Sequence, residues 1–211
     1  MERGYGILGL FLFVILMSAG CLSTIFPSPP GGTLTPTPTP APVPTTSSPS
    51  STIPVSQMAL QPSDLPSDYI LKDRSDITYP EMDQISLNLG WRAGYKVTYY
   101  RFNEQQYDMT EVSQVIEIFT PINMNTVFNI HEDAITGQAT GIDQIYELPC
   151  PNMGDHTYAY RKTETQGPLS SVTYGILFTK KDVYEELTMS GTTTDFEALK
   201  SLAQTAAGKI Q

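Results

Sequence analysis

The hydrophobic and polar positions divide the chain into three stretches of different character. Residues 6–17 are apolar, residues 22–55 are uncharged and rich in proline, threonine and serine, and the positions from 56 onward mix charged residues with periodic apolar ones. The middle stretch cannot bury a core and favours a disordered conformation with polyproline II character. We therefore predict a signal peptide or lipoprotein anchor over residues 1–21, a disordered linker over 22–55 and a single globular domain over 56–211.

The globular stretch contains both strand-like and helix-like patterns. Apolar positions alternate, as in β-strands, over residues 91–102, 112–119, 142–148, 156–163, 172–178 and 183–189. They recur at helical spacing over residues 80–89, from Asn123 or Asn125 to Ile135, and in a last helix that follows a capping box at residues 194–197 with Thr194 as the cap. Helices interspersed with antiparallel hairpins indicate an α+β fold in which helices pack on an antiparallel sheet.

The end of the apolar leader carries a candidate modification site. The run Ala19-Gly20-Cys21 resembles the lipobox Leu-(Ala/Ser)-(Gly/Ala)-Cys of exported prokaryotic lipoproteins, with Ser18 where leucine is preferred. The twelve apolar residues before it suit a signal peptide and fall short of the roughly 20 that a spanning helix needs. The resemblance implies cleavage before Cys21 and lipid on its thiol. The alternative is an uncleaved signal anchor, and both interpretations predict a domain held at the cell membrane and facing outside.

A second resemblance concerns the C-terminal half. The pair Gly154-Asp155, a strand that ends in Phe178 and Lys180, and the pattern Asp195…Leu199-x-x-Leu202-Ala203…Ile210 resemble the PsbP/Mog1-like group of small exported prokaryotic domains. These motifs cover about a third of the chain. The resemblance implies an antiparallel sheet packed by helices and a binding or accessory role, and it implies no catalytic residue at any position of this sequence.

Composition restricts the partners of the domain. The net charge of the chain is −10, and all its charged residues except Glu2 and Arg3 lie in the predicted domain. Because no basic stripe is visible, we expect no nucleic-acid partner and no direct binding to anionic lipid. Cys150 is the second and last cysteine, so no intramolecular disulfide is expected and Cys150 is interpreted as a small buried apolar residue.

The sequence contains no complete set of residues for a known catalytic or metal-binding motif. His131 begins a sequence similar to a zincin helix, but Ile135 occupies the second histidine position, so His131 is interpreted as a helix-surface residue. Asp155-His156 is either a hydrogen-bonded dyad or a turn, and the turn is the simpler interpretation. The acidic residues Asp64, Asp68, Asp73, Asp76, Glu81 and Asp83 have no calcium-loop spacing and predict a solvated acidic face. We expect neither a cofactor nor an enzymatic activity.

Aromatic residues supply the candidate ligand surface. Trp91, Tyr95, Tyr99, Tyr158 and Tyr160 lie on predicted strands, and tyrosine can serve either core packing or a platform for a glycan, a peptide or a partner protein. The sequence thus predicts a membrane-tethered, extracytoplasmic binding or accessory domain. The alternative is a hydrolase that acts on the cell envelope and uses carboxylates or His156.

Overall fold

The computed structural model describes residues 53–105, 108–137, 144–166 and 169–211. The predicted leader with Cys21, and the predicted linker up to residue 52, lie outside these residues. In the described part, Ile53 and Val55 already pack against the core.

The described residues form an α+β fold, as the sequence predicts. The strands are β1 (Ile70–Ile77), β2 (Ala93–Asn103), β3 (Asp108–Ile118), β4 (Gln144–Glu147), β5 (His156–Gln166), β6 (Leu169–Lys180) and β7 (Val183–Gly191). The helices are α1 (Val55–Met58), α2 (Gln84–Asn88), α3 (Met124–Thr136) and α4 (Phe196–Lys209). All strand pairs are antiparallel, and the strands follow the order β1-β2-β3-β7-β6-β5-β4 in one sheet.

Each face of the sheet has its own helical layer and its own apolar core. The face covered by α4 and by the buried segment 58–60, here called the α4 face, contributes Val97, Val112, Ile116, Ile176, Leu187, Met189, Leu199, Ala203 and Ala206. The opposite face, here called the α3 face, contributes Phe119, Met124, Val127, Phe128, Tyr158, Tyr160, Leu177 and Tyr184. Burial of each large apolar side chain stabilises the fold by about 1.5–3 kcal/mol, so both helical layers hold the sheet.

Two local predictions differ from the structure, and one strand was not predicted. Residues 80–89 do not form one helix: a 3₁₀ turn over Tyr79–Glu81 precedes α2, because the Asp83 side chain accepts a hydrogen bond from the Ser86 N–H (2.8 Å) and starts a new helix there. The cap of α4 is Asp195 rather than Thr194, since the Asp195 carboxylate accepts from the N–H groups of Glu197 and Ala198. β1 follows no apolar alternation and was not predicted.

The β6–β7 connection explains the pair Gly154-Asp155. Asp155 Oδ2 accepts a hydrogen bond from the N–H of Lys181 (2.8 Å), whose backbone is left-handed with φ 59°. A Cβ atom on Gly154 would lie 2.1 Å from the carbonyl oxygen of Thr179, so glycine permits this close approach of two chain segments. The pair therefore has a structural role in a tight turn.

No helix within the described ranges is long and apolar enough to cross a membrane.

Candidate functional site

A cavity on the α4 face forms a groove along α4, here called the α4 groove. It has a volume of about 420 Å³. The groove is lined by Asp64, Pro66, Tyr69, Arg101, Met189, Thr193, Asp195, Ala198, Ser201, Leu202 and Thr205. Its size lies within the range of 300–1,000 Å³ that is usual for small-molecule sites.

One flank of helix α4 forms a wall of the groove, while another side of the helix packs on the sheet. Leu199, Ala203 and Ala206 are buried against the sheet. Ala198, Ser201 and Thr205 follow one another at helical spacing on the neighbouring flank and border the groove. The capping bonds of Asp195, one of them at 2.9 Å to the Glu197 N–H, fix the first turn and hence this wall.

Arg101 fixes the polar end of the groove. Its guanidinium lies 5.3 Å from the centre of the Tyr69 ring and 3.6 Å from Asp68 Oδ2, and it donates a 3.2 Å hydrogen bond to Thr110 Oγ1. The Thr110 hydroxyl in turn donates to the carbonyl oxygen of Thr193 at 2.6 Å. Burial raises the pKa of Tyr69 despite the nearby guanidinium, so the Tyr69 hydroxyl stays a neutral donor and acceptor at the groove.

Asp64 and Lys209 fix the opposite end. The Lys209 ammonium pairs with the Asp64 carboxylate at 2.5 Å and also donates to the carbonyl oxygen of Ala59 at 2.8 Å. Burial acts to raise the pKa of Asp64, but the hydrogen bonds from Lys209 and from the Gln61 N–H outweigh it, and the pKa lies below its usual value. Both ends of the groove are thus held by hydrogen bonds and ion pairs within the domain, so the cavity is preformed.

The structure separates the five aromatic residues of the predicted ligand surface. Tyr95 and Tyr99 pack on the α4 face, where the Tyr99 hydroxyl donates to the carbonyl oxygen of Leu60 at 2.9 Å. Tyr158 and Tyr160 are buried on the α3 face, and Trp91 packs there too, because β2 begins only at Ala93 and Trp91 precedes it. These five side chains do not share one surface.

The histidines and Cys150 also have defined places. The half-buried His131 ring stacks on Tyr184 with centroids 4.1 Å apart, so His131 faces the sheet rather than the solvent. His156 stacks on Phe128 at 5.2 Å, and no hydrogen bond joins it to Asp155. Cys150 is half-buried against the α4-face core, and burial raises the pKa of its thiol. Cys21, the predicted lipidation site, lies outside the described residues.

The acidic residues near the start of the domain serve separate local contacts. Asp64 pairs with Lys209 and Asp68 with Arg101, while Glu81 lies 3.6 Å from Lys96 and Asp83 caps α2. Within the described ranges, no group of three or more histidine, cysteine, aspartate or glutamate residues is arranged to hold a metal ion.

A group of buried carboxyls on the sheet was missed by the sequence analysis. Glu117 is buried and Glu186 half-buried on the α3 face, and Glu185 lies fully buried on the α4 face. A signal for them exists in the sequence, because each is a charged residue inside an otherwise apolar strand segment, 115–119 or 183–187. Burial raises the pKa of Glu117 to about 7 and that of Glu185 to about 8.

Comparison with known proteins finds one likeness of fold. The extracellular domain of PknH from Mycobacterium tuberculosis matches with a TM-score of 0.54 and 10% sequence identity, over 74% of this chain and 94% of that domain. At this identity the match shows a shared fold alone. No family model matches the chain, and no curated protein sequence matches it. The PsbP/Mog1-like resemblance stays a prediction.

Proposed function

We propose that this protein is a membrane-tethered, extracytoplasmic binding domain that holds a small ligand in the α4 groove. The observation that carries the proposal is the preformed cavity of about 420 Å³ with an apolar floor and fixed polar ends. Met189, Leu202 and Pro66 supply apolar surface for the ligand, and Arg101 and Tyr69 supply oriented polar groups at one end. Few polar groups around a mostly apolar cavity are typical of ligand sites.

The contacts of the groove favour binding over hydrolysis. Its two carboxylates, Asp64 and Asp195, are engaged with Lys209 and with the first turn of α4. A catalytic acid or base needs a proton-accepting or proton-donating atom directed at the substrate. Asp155 is engaged with the Lys181 N–H, and the His156 ring stacks on Phe128, so these residues do not supply one either.

Two independent features support a position outside the cytoplasm. The fold is shared with a domain described as extracellular, that of PknH. The sequence before the domain has the order expected of an exported lipoprotein, with an apolar leader, Cys21 and an uncharged proline-rich stretch. The lipid on Cys21, or an uncleaved leader, would hold the domain at the membrane, and an envelope glycan or protein would be its natural ligand or partner.

Filling the groove tests the binding proposal. Ala198→Trp places an indole in the groove, whereas the control Gln204→Trp places it on an exposed position of the same helix outside the groove. With anilinonaphthalene sulfonate as a fluorescent probe, we expect saturable binding that Ala198→Trp weakens by about tenfold or more and that Gln204→Trp leaves unchanged. Equal probe binding by the wild type and the Ala198→Trp variant would contradict a ligand site in the groove.

Mass spectrometry of the mature N-terminus tests the tether. In cells that export the full chain, we expect a membrane-bound form that begins at a lipid-modified Cys21 and that external protease can digest. Cys21→Ala should abolish the lipid, while the matched control Cys150→Ala should keep it. An intact Met1 on a membrane-bound form would replace lipidation by an uncleaved anchor, and an intact Met1 on a cytosolic form would overturn the tether altogether.

A further inference from the structure

The α3 face contains a group of buried polar side chains that the α4 groove does not use. Glu117 of β3 and Tyr184 of β7 are register partners, and Glu186 follows Tyr184 on the same face two residues later. The hydroxyl groups of Tyr160 and Tyr184 donate hydrogen bonds to Glu186 at 3.2 and 3.4 Å. We call these four residues the carboxyl cluster.

The layer formed by α2 and α3 covers the carboxyl cluster. His131 of α3 stacks directly on Tyr184, and Phe128 of α3 stacks on His156 of β5. A cavity of about 210 Å³ remains between α2 and α3, and Ile85 and Ile130 at its border are 59% and 38% exposed. A few ring contacts and one row of apolar side chains therefore hold α2 and α3 to the sheet, next to an unfilled cavity.

The charges around the cluster oppose its ionisation. Burial raises the pKa of Glu117 to about 7, and the carboxylates of Asp83 and Glu186 act in the same direction. The Trp91 indole N–H lies beside Glu117 outside ideal hydrogen-bond geometry and lowers the pKa by less. Burial also raises the pKa of Glu186, although its two tyrosine partners lower it. Burial lowers the pKa of His131, so this residue supplies no compensating cation near neutral pH.

The remaining titratable groups on the packed elements do not neutralise the two carboxyls. They are Glu132 of α3, Arg92 just before β2, Lys96 of β2, Glu147 of β4, His156, Tyr158 and Lys162 of β5, and Asp182 just before β7. Arg92 pairs with the buried Asp182 at 3.5 Å, Lys96 with Glu81 and Lys162 with Glu164. Strand β6 contributes the non-titratable Leu177 and Thr179 to this face. If Glu117 and Glu186 both ionised, their carboxylates would therefore repel each other and the carboxylate of Asp83 at the start of α2.

We propose that the carboxyl cluster is a pH-responsive latch, which keeps α3 packed on the sheet while Glu117 and Glu186 are protonated and releases it when they ionise. Opening exposes both carboxyls to water, where they ionise at ordinary carboxyl pKa values. The open form thus binds fewer protons than the closed form, and rising pH favours opening. With a pKa of about 7 in the closed form and 4.5 in the open form, Glu117 alone raises the opening constant about tenfold between pH 6 and pH 8.

Hydrogen exchange of the intact domain tests the latch. After correction for the intrinsic pH dependence of amide exchange, and under conditions in which reclosing is faster than exchange, we expect the protection of α3, which local opening lowers below that of α4, to fall about tenfold or more from pH 6 to pH 8. Glu117→Gln and Glu186→Gln keep the side-chain shape but cannot ionise, so each should reduce the pH dependence of α3 protection. Trp91, the single tryptophan of the chain, gives a second readout because its fluorescence should change over the same pH range in the wild type and not in Glu117→Gln.

Glu185→Gln is the matched control. Glu185 is a buried carboxyl on the opposite face, so its replacement should reduce the pH dependence of α4 protection, which reports unfolding of the whole domain, and leave the pH dependence of α3 protection in place. If Glu185→Gln reduced the pH dependence of α3 protection as much as that of α4, α3 would exchange by unfolding of the whole domain, and the latch would be overturned. Full pH dependence of α3 in the variant that lacks both the Glu117 and Glu186 carboxyls would overturn it too. The latch lies on the other face from the α4 groove, so loss of probe binding in Ala198→Trp has no bearing on it.

Discussion

At the scale of single residues, Gly175 determines whether Tyr160 can reach Glu186. The Tyr160 ring lies across Gly175, and a Cβ atom at that position would be 2.2 Å from Tyr160 Cε1. Only a residue without a side chain allows the ring to lie flat against β6, so that its hydroxyl can donate to Glu186. The carboxyl cluster therefore depends on a glycine in the adjacent strand.

Gly175→Ala should destabilise the domain and displace the Tyr160 ring. Overpacking of a filled interior typically lowers the free energy of unfolding by about 1–3 kcal/mol, and urea denaturation would measure it. Gly208→Ala is the matched control: nothing lies within 4 Å of a Cβ atom there, and alanine favours the helix, so this variant should be neutral or more stable by up to about 1 kcal/mol. Equal free energies of unfolding for Gly175→Ala and Gly208→Ala would contradict the close contact between Gly175 and the Tyr160 ring.

At the scale of secondary-structure elements, α4 depends on its first turn. Asp195 accepts hydrogen bonds from the Glu197 and Ala198 N–H groups, which have no partner within the helix. Loss of such a cap lowers the free energy of unfolding by about 1 kcal/mol. For a domain of this size, that corresponds to a fall in Tm of about 2–4 °C.

Asp195→Ala should therefore lower the Tm and increase amide exchange in the first turn of α4, next to the α4 groove. Asp195→Ser restores a capping oxygen and should recover most of both effects. Thr194→Ala tests the competing prediction from the sequence, in which Thr194 was the cap. If Thr194→Ala proved more damaging than Asp195→Ala, the observed helix start would be contradicted.

Elements with regular apolar periodicity were predictable from the sequence, and elements without it were not. The hairpin of β2 and β3, the strands β5 to β7 and the helices α3 and α4 all follow their predicted patterns closely. β1 was missed because its sequence ILKDRSDI places charges on both faces, and it also has a register irregularity between Leu71 and Asp73. Both features are typical of a sheet edge that is protected from pairing with other chains, and a central strand would not tolerate them.

The candidate groove could not be derived from sequence periodicity. Its residues come from the segment after α1, the end of β2, the end of β7 and one flank of α4. Periodicity assigned Arg101 to a strand and Ser201 to a helix, but only the order of strands in the sheet brings the two elements to one cavity. The five aromatic residues of the predicted surface are divided between the two faces for the same reason, since Trp91 lies two residues before β2 and packs on the opposite face from Tyr95.

At the scale of the whole molecule, two buried carboxyls in neighbouring strands, Glu117 and Glu185, make the stability of the domain depend on pH. Glu185 is fully buried, its Oε1 accepts a hydrogen bond from Gln114, and its Oε2 has no hydrogen-bond partner. Gln114 in turn accepts from the Leu60 N–H at 2.7 Å, which ties the N-terminal segment of the domain to β3 and β7. Burial raises the pKa of Glu185 to about 8 and that of Glu117 to about 7, from an ordinary value of 4.5.

The domain should consequently be more stable at pH 5.5 than at pH 8.5. Between pH 4.5 and about 8 the folded state keeps protons that the unfolded chain releases, so the free energy of unfolding falls as pH rises, by about 3 kcal/mol from Glu185 alone. Urea midpoints measured across this range would show the decline, and Glu185→Gln should flatten it because glutamine does not titrate. In more acidic solution the trend should reverse, since the pKa of Asp83 lies below its usual value and its cap on α2 is lost on protonation. A urea midpoint that rises from pH 5.5 to pH 8.5 would mean that Glu185 is ionised in the folded protein, with a cation or water at its unpaired oxygen.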